Sequence, residues 1–153
     1  MNATLCRLLI LGIQPLAAYG IIVTTAMDED NGTIGGGTGV SLREAVKYSP
    51  PGDTITFAPA IANQTIRLTL GEILISQSLT IDGSVLRGRI TLSGDKTGNG
   101  KTSDDTTVFH IGPGTIVLDS LIISGGHNAQ GGGIISNIDT TNLTVKKCHF
   151  TGN

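Results

Sequence analysis

Few residues of this 153-residue chain have types and spacing that could support chemistry. The segment from Gly94 to Thr102, Gly-Asp-Lys-Thr-Gly-Asn-Gly-Lys-Thr, superficially resembles a phosphate-binding loop. Such a loop needs glycine where Asp95 stands, and it needs a following helix whose N-terminus attracts the phosphate. No helix-period pattern follows this segment, so we predict a solvent loop rather than a nucleotide site.

A second group of candidates contains carboxylates and histidines of the kind that pectin-degrading hydrolases use. Asp104 and Asp105 are adjacent, and His127 follows a glycine. A glycoside hydrolase needs two carboxylates at a fixed separation on one face, whereas neighbouring residues of a strand point to opposite faces. His110 alternates outward from Phe109 and is predicted to lie at the surface. We therefore predict no catalytic residue in this group.

The remaining polar clusters also favour structural roles. The acidic run Asp28–Asp30 lacks the ligand spacing and closing glutamate of an EF-hand loop, so we predict a solvated acidic loop and no metal site. Arg87 and Arg89 flank a turn and could bind an acidic sugar, although a solvated corner is the favoured interpretation. Cys148 occupies an apolar position of a repeat, which favours buried filler over a reactive thiol. The net charge of −2 gives no reason to expect nucleic acid as a partner.

The clearest structural element that the sequence predicts is a short helix. Ser41 lies three residues before Glu44, the spacing of a capping box. In that motif the serine hydroxyl and the glutamate carboxylate each accept a backbone N–H of the other residue. A short apolar stripe at helical spacing follows, formed by Leu42, Ala45 and Val46. Two prolines then end the helix, since proline lacks the backbone N–H. We predict a helix over 42–48 followed by a strand over 54–57.

After residue 53 the chain is predicted to contain only β structure. Its composition, with 22 glycines, 3% aromatic and 14% charged residues, suits short strands joined by tight turns. The candidate strands cover residues 54–57, 65–70, 73–75, 78–82, 89–93, 107–111, 115–118, 121–124, 133–136 and 142–150.

An internal repeat indicates how these strands are arranged. Five positions recur 27 residues later, where Ile116, Leu118, Leu121, Ile123 and Gly125 become Leu143, Val145, Cys148, Phe150 and Gly152. A stretched earlier copy has Leu79 and Ile81, then an insertion, then Ile90 and Leu92. This period, with two or three short strands in each copy, indicates a β-solenoid whose coils bury their inward faces against one another. The first coil would expose a bare strand edge, and the helix over 42–48 is placed to cover it.

Two parts of the chain resemble known families. Gly39 to Ala45, Gly-Val-Ser-Leu-Arg-Glu-Ala, together with Pro51 to Phe57, resembles the CSLREA-type N-terminal segment of bacterial secreted β-helix proteins. Later segments, Gly-Gly-Gly-Ile at 131–134 and Phe-Thr-Gly-Asn at 150–153, resemble the repeats of the polymorphic outer membrane protein family. Val40 departs from the first pattern, where a cysteine often stands, and Gly133 replaces the alanine of the second.

The resemblance implies a right-handed parallel β-helix of the pectin-lyase-like class, exported and often attached to the cell surface. The fold class we expect is therefore all-β, with a short N-terminal capping helix. The residues expected to have structural roles are Ser41, Leu42, Arg43, Glu44, Ala45, Gly131, Gly132, Gly133, Ile134, Phe150 and Asn153.

Physical reasons can be given for the late motif residues. The glycine run 131–133 permits a tight, positive-φ corner between stacked strands. Phe150 at an inward position is expected to fill the interior. Asn153, just beyond a strand, is expected to stack in line with equivalent residues of adjacent coils, each side-chain amide bonding the next.

The chain divides into three expected regions. Residues 1–20 have the layout of a secretory signal, with Arg7, a short apolar run and small residues before the end. A wrongly assigned start codon ahead of the true protein is the alternative. Residues 21–57 are expected to form the N-terminal cap, and residues 58–153 the β-helix coils. Because the last repeat is apolar and has no closing element, we expect these coils to belong to a longer protein.

These observations predict a non-catalytic, exported surface scaffold or adhesin-like segment at the cell surface or outer membrane. Its expected partner is a protein or carbohydrate ligand at an exposed sheet or loop edge, with no cofactor and no nucleic acid. Membrane attachment would come only from an anchor outside this sequence, and the open C-terminal coil could self-associate. The alternative is a fragment of a polysaccharide lyase or glycoside hydrolase acting on acidic polysaccharide, which rests on fold analogy alone.

Overall fold

The computed structural model of the chain describes residues 20–100, 102–136 and 139–153. The secretory signal expected over residues 1–20 lies outside the described residues except for Gly20. Among the described residues, no helix is both long enough and apolar enough to span a bilayer.

The described part of the chain consists of short strands, one α-helix and one 3-10 helix. They are, in chain order, β1 (Ile22–Val23), α1 (Leu42–Tyr48), β2 (Thr54–Phe57), the 3-10 helix (Pro59–Ile61), β3 (Thr65–Arg67), β4 (Ile73–Ile75), β5 (Leu79–Asp82), β6 (Thr91–Ser93), β7 (Phe109–Ile111), β8 (Gly114–Asp119), β9 (Ile122–Ser124), β10 (Ile134–Ser136), β11 (Thr141–Lys146) and β12 (His149–Thr151).

The strands pair in parallel to form three sheets, which confirms an all-β fold with parallel sheets. Sheet A has the strand order β1-β2-β5-β8-β11, sheet B the order β3-β6-β9-β12, and sheet C the order β4-β7-β10. From β2 onward the chain visits sheets A, B and C in that order and then returns to A. We call each passage through the sheets a circuit.

The strand register reproduces the internal repeat. Leu143 pairs with Ile116, Val145 pairs with Leu118, and Phe150 pairs with Ile123, each 27 residues apart. The stretched copy is also in register, since Leu79 pairs with Ile116. Its additional residues lie in the loops before and after β6, so the insertions leave the stacked strands in alignment.

One predicted strand, 142–150, is wrong as a single element. The structure divides it into β11 and β12 at Lys147, whose φ is +50°. Ser120, the equivalent residue one circuit earlier, has a φ of +59°. A corner between two sheets needs this left-handed conformation at one residue, and a strand cannot continue through it.

The core is made of inward side chains stacked from circuit to circuit. In sheet A, Ile55 pairs with Ile81, and Ile81 pairs with Leu118, and all three are fully buried. Val145 continues this stack but is 42% exposed, because among the described residues β11 is the edge strand of sheet A.

Phe150 corrects the expectation that it fills the interior. It pairs with the buried Ile123, so it occupies the inward position that the repeat predicts. It is nevertheless 44% exposed, because β12 is an edge strand of sheet B and no described strand stacks on its other side.

Helix α1 has the predicted position and capping box. The Ser41 hydroxyl accepts the Glu44 N–H, and the Glu44 carboxylate accepts the Ser41 N–H, both at 3.1 Å. The apolar stripe is buried, and the helix contacts β1 and β4. Ser49, just before the two prolines, has an extended backbone, as expected for a residue that precedes proline.

Substitution of Ile81 by alanine tests the stacking of inward residues. We expect it to lower the free energy of unfolding by about 2–5 kcal/mol, because it opens a cavity between Ile55 and Leu118. Urea unfolding measures this loss. Val85→Ala, an exposed position in the loop that follows β5, is the control and should change stability by less than about 0.5 kcal/mol. Equal effects of the two variants would contradict the stacked core.

Candidate functional site

The most elaborate set of polar contacts lies around α1, and Glu44 is at its centre. The Glu44 side chain is buried, and its carboxylate accepts backbone N–H groups from Ser41 at 3.1 Å, Asn31 at 3.2 Å and Gly35 at 3.3 Å. The last two donors belong to the loop between β1 and α1. One carboxylate therefore caps the helix and organises the loop that precedes it.

The pKa of the Glu44 carboxyl reflects two opposing effects. Burial acts to raise it, because a charged group is poorly solvated in the interior. The backbone N–H groups of Ser41, Asn31 and Gly35 together outweigh burial and hold the pKa below its ordinary value. The carboxylate is therefore stabilised in its charged form, as a structural anion requires.

Arg43 makes a second connection to the same loop. Its Nε and Nη2 atoms donate to the two carboxylate oxygens of Asp28 at 2.7 and 3.0 Å, and the Asp28 side chain is only 1% exposed. The guanidinium also donates to the carbonyl oxygens of Gly71 and Glu72. The Leu70 N–H donates to Asp28 at 2.8 Å. This ion pair therefore joins the loop before α1 to the loop between β3 and β4.

These contacts correct the expectation of a solvated acidic loop at 28–30 for Asp28, whose side chain is 1% exposed and pairs with Arg43. Asp30 is exposed, as the sequence predicts, and forms a surface ion pair with Lys47 at 2.6 Å. Glu29 accepts the Thr38 N–H at 3.1 Å and also contacts the Thr38 hydroxyl. The loop supplies the donors for Glu29, and α1 supplies the cations for Asp28 and Asp30.

The five residues of the Ser-Leu-Arg-Glu-Ala motif all have internal contacts. The Ser41 hydroxyl donates to the Glu29 carbonyl oxygen at 2.6 Å, and Leu42 and Ala45 are fully buried. Arg43 and Glu44 bind the loops described above. The motif therefore holds neighbouring loops in place at one end of the sheets. From the sequence, only the contact between Ser41 and Glu44 was predicted.

An open cleft of about 310 Å³ lies between α1 and β4. The side chains that line it include Asp30, Arg43, Lys47, Glu72, Leu74 and Gln77. At one side His110 Nδ1 lies 3.0 Å from a carboxylate oxygen of Glu72. His110 points outward from β7, as its alternation with the buried Phe109 predicts. Several polar residues meet accessible surface at this cleft.

The segment that superficially resembles a phosphate-binding loop is organised by its own acid. The Asp95 carboxylate accepts the N–H groups of Gly98 at 2.6 Å and Gly100 at 3.1 Å. Burial acts to raise the Asp95 pKa, but these donors and the nearby Arg67 hold it below its ordinary value. An anion cannot occupy a loop whose N–H groups already bind a carboxylate.

The remaining catalytic candidates do not converge. Asp105 is buried and accepts the N–H groups of Lys96 at 3.3 Å and Thr102 at 2.7 Å, whereas Asp104 is exposed. The His127 N–H donates to the Thr106 carbonyl oxygen. Within residues 20–100, 102–136 and 139–153, no group of three His, Cys, Asp or Glu residues could hold a metal ion.

Arg87 and Arg89 lie in a solvent-exposed loop, and Cys148 packs against the core, as the sequence predicts. Arg87 and Arg89 are exposed in the loop between β5 and β6. Cys148 is partly buried against the core, and its thiol donates to the Leu118 carbonyl oxygen at 3.5 Å. Burial raises the pKa of this thiol, which disfavours the reactive thiolate.

The late motif residues pack against each other, although not as expected in every detail. Only Gly131 of the run 131–133 has a positive φ, of +154°. A side chain on Gly132 would collide with Gly126, and one on Gly133 would press on Phe150. The glycines are therefore needed mainly for close approach.

Asn153 binds backbone rather than an equivalent amide. Its Oδ1 accepts the Gly126 N–H, and its Nδ2 donates to the Ile123 carbonyl oxygen, both at 3.0 Å. Gly126 itself occupies the equivalent position one circuit earlier and has no amide to stack on. The side chain therefore fixes the corner after β12 to the corner after β9.

Comparison with protein-family models, curated proteins and solved structures finds no significant match to this chain.

Glu44→Gln tests the buried anion. Because folding lowers the Glu44 pKa, the carboxylate stabilises the fold above its unfolded pKa of about 4.3, and this stabilisation is lost as pH falls through the lower folded value. We expect the variant to lose about 2 kcal/mol at pH 7, and the difference from wild type to shrink below about pH 4. Urea unfolding across this range measures both.

Asp139→Asn is the matched control, since it removes an exposed carboxylate from the turn before β11. It should change stability by less than about 0.5 kcal/mol at every pH. A Glu44→Gln deficit that stays constant from pH 7 to below pH 4 would argue against a buried charged carboxylate.

Proposed function

We propose that this chain is a non-catalytic, exported scaffold segment whose three sheets wind as a right-handed parallel β-helix, with α1 as the N-terminal cap. The proposal rests on one observation: the chain contributes strands to sheets A, B and C in a repeating order, and the inward residues of successive circuits are in register. Such a stack grows by adding circuits and presents rows of outward side chains along a rigid axis.

The position of α1 supports the capping role. Sheets A and C have β1 and β4 as their edge strands at this end, and α1 contacts both. An exposed parallel edge is a template for aggregation, so a helix fixed over it protects the fold. The partly buried Arg43–Asp28 ion pair and the buried Glu44 carboxylate hold this cover in place.

Membership of the CSLREA-type and polymorphic outer membrane protein families is part of the proposal. The first is supported by the internal contacts of the Ser-Leu-Arg-Glu-Ala motif. The second is supported by the packing of two motifs that are separate in sequence, since Gly133 lies against Phe150 and Gly132 lies against Asn153. Export and surface attachment follow from these resemblances.

A scaffold of this kind would act by contact. We propose a protein or carbohydrate ligand at an exposed sheet or loop edge, within a larger cell-envelope protein. Strands β11 and β12 leave one backbone edge unpaired among the described residues, so self-association there is also proposed.

Surface protease treatment of cells from the native host tests export and attachment. We expect an antibody against residues 21–153 to detect the protein in the envelope fraction, and external protease to remove it from intact cells. A cytoplasmic marker protein is the control and should survive the treatment. A protein that stays in the cytosol and is cleaved only after lysis would overturn the proposal of export.

Assay of the purified chain on acidic polysaccharide tests the absence of catalysis. We expect no release of unsaturated or reducing sugar from polygalacturonate above a buffer blank, because the buried carboxylate of Asp105 binds backbone N–H groups. Activity that is lost in an Asp104→Asn/Asp105→Asn double variant with an unchanged melting temperature would establish the enzymatic alternative.

A further inference from the structure

A group of cations lies at the corner where the chain passes from sheet A to sheet B. Arg87 and Arg89 belong to the loop between β5 and β6. Lys146 ends β11, and Lys147 lies in the turn before β12. All four residues are exposed, and among the described residues the ion pairs engage other cations and none of these four. We call this group the basic corner.

The strand register aligns part of the basic corner in one column. Strands β6, β9 and β12 are stacked with their first residues aligned. Arg89, Ser120 and Lys147 each stand two residues before the first residue of one of these strands. Neighbouring strands are about 4.8 Å apart, so the backbones of Arg89 and Lys147 are separated by roughly 10 Å. Residues 58 positions apart in sequence thus present their charges side by side, with one serine between them.

The segment that carries the arginines is held against the preceding circuit. The Asn63 N–H donates to the Arg89 carbonyl oxygen at 3.0 Å. A side chain on Gly88 would collide with the Asn63 side chain, so glycine permits the close contact of the two segments. Ile90, the next residue, is fully buried. The insertion between β5 and β6 therefore presents its arginines from a fixed backbone.

The charge of Arg89 reaches the circuit that contains the lysines. Burial raises the pKa of the Cys148 thiol, and Arg89 acts on the same pKa in the opposite direction. A cation has this effect only when it is near the thiol, because it stabilises the thiolate by direct attraction. Cys148 follows Lys147 directly, so the arginine and the lysines share one surface.

Two acids lie beside the basic corner and reduce its charge. Asp82 and Asp119 pair in register on the outward face of sheet A, and Lys146 continues the same row. Asp82 accepts the Ser84 N–H at 2.7 Å, and Asp119 accepts the Ser120 hydroxyl at 2.8 Å. Four cations against two carboxylates leave a net charge of +2 on a protein whose total charge is −2.

The other side chains at this corner indicate what kind of anion fits it. Asn63, Ser84 and Ser120 supply amide and hydroxyl groups beside the cations. None of the side chains there is aromatic, whereas proteins that bind single-stranded nucleic acid stack the bases on aromatic rings. Guanidinium groups match the geometry of carboxylates. A polymer with repeated acidic groups and many hydroxyls satisfies both the charged and the neutral side chains.

We propose that the basic corner binds a linear acidic polysaccharide, with acidic groups of the sugar chain on Arg89 and Lys147. Arg87 and Lys146 flank this contact and add to the attraction. The binding involves no bond cleavage. This inference deepens the proposed contact role by naming its ligand class, and it depends on that proposal only for the biological source of the polysaccharide.

Binding of a labelled oligosaccharide to the purified full chain tests this inference separately from cell-surface location. The probe is a fluorescein-labelled hyaluronate decasaccharide, whose binding is followed by fluorescence polarisation. Arg87→Gln/Arg89→Gln and Lys146→Gln/Lys147→Asn each remove two cations, and asparagine suits the φ of +50° at residue 147. We expect each double variant to weaken binding about fivefold or more, because each exposed ion pair contributes only modestly.

Lys47→Gln/Lys96→Gln is the matched control, since it removes the same charge from α1 and from the loop after β6. It should change the affinity by less than about twofold. Equal weakening by the control and by the corner variants would show that only the total charge matters, and would overturn the inference. Melting temperatures of all variants establish that they are folded.

Asp119→Asn gives an effect of the opposite sign. It removes a carboxylate from the row that contains Lys146, and we expect it to tighten binding about twofold. Damage to the fold would not strengthen binding.

Two further results would overturn the inference. The first is the absence of saturable binding up to about 1 mM decasaccharide, or equal competition by uncharged dextran. The second is tighter binding of a single-stranded DNA of the same charge that the corner variants also weaken, which would assign the surface to nucleic acid.

Discussion

The rest of the structure depends on the alignment of inward side chains between neighbouring circuits. Each parallel strand bonds only to the strands before and after it in its sheet, so the buried face is built by stacking, as in Ile55, Ile81 and Leu118. A slip of one residue would place Thr80 over the interior and turn Ile81 outward. The register is therefore fixed even where the spacing between paired residues grows from 27 to 37, and the additional residues are accommodated in loops.

The strands at an end of the stack have an edge without a neighbouring strand. At the end formed by β1 and β4, α1 contacts these edge strands, and charged side chains bind α1 to the loops around it. Two desolvated ions are costly unless their remaining donors and acceptors are also bonded. Here the Arg43 guanidinium binds Asp28 and two carbonyl oxygens, and Asp28 also binds the Leu70 N–H. The geometry of a charged pair is specific, whereas an apolar cover could slide. We infer that these ions fix the angle at which α1 lies over β1 and β4.

Sequence reasoning predicted the parts of the fold that local patterns determine. The capping box spans three residues, and the 27-residue repeat is visible because side-chain burial alternates along each strand. It did not predict the bonds from Glu44 to Asn31 or from Arg43 to Asp28, because these join residues 13 and 15 positions apart through a loop without periodicity. The glycine-rich run before Ser41, with many free N–H groups near several acids, was the available signal. The exposure of Phe150 depends on which strands lie beside it, and a repeat pattern carries no such information.

The same physics explains why the carboxylates of this chain are engaged away from any common site. A fold with short strands and many loops leaves numerous loop N–H groups without a ladder partner, and each buried donor needs an acceptor. Asp95, Asp105 and Glu44 each accept two or more of them. A carboxylate held in this way is a poor general base, because proton transfer to it would break the bonds that shape its loop. Glu72 differs, since its partner is a side chain and it lies at the edge of the cleft. Glu72 is thus an acid of this region that is not engaged by backbone N–H groups.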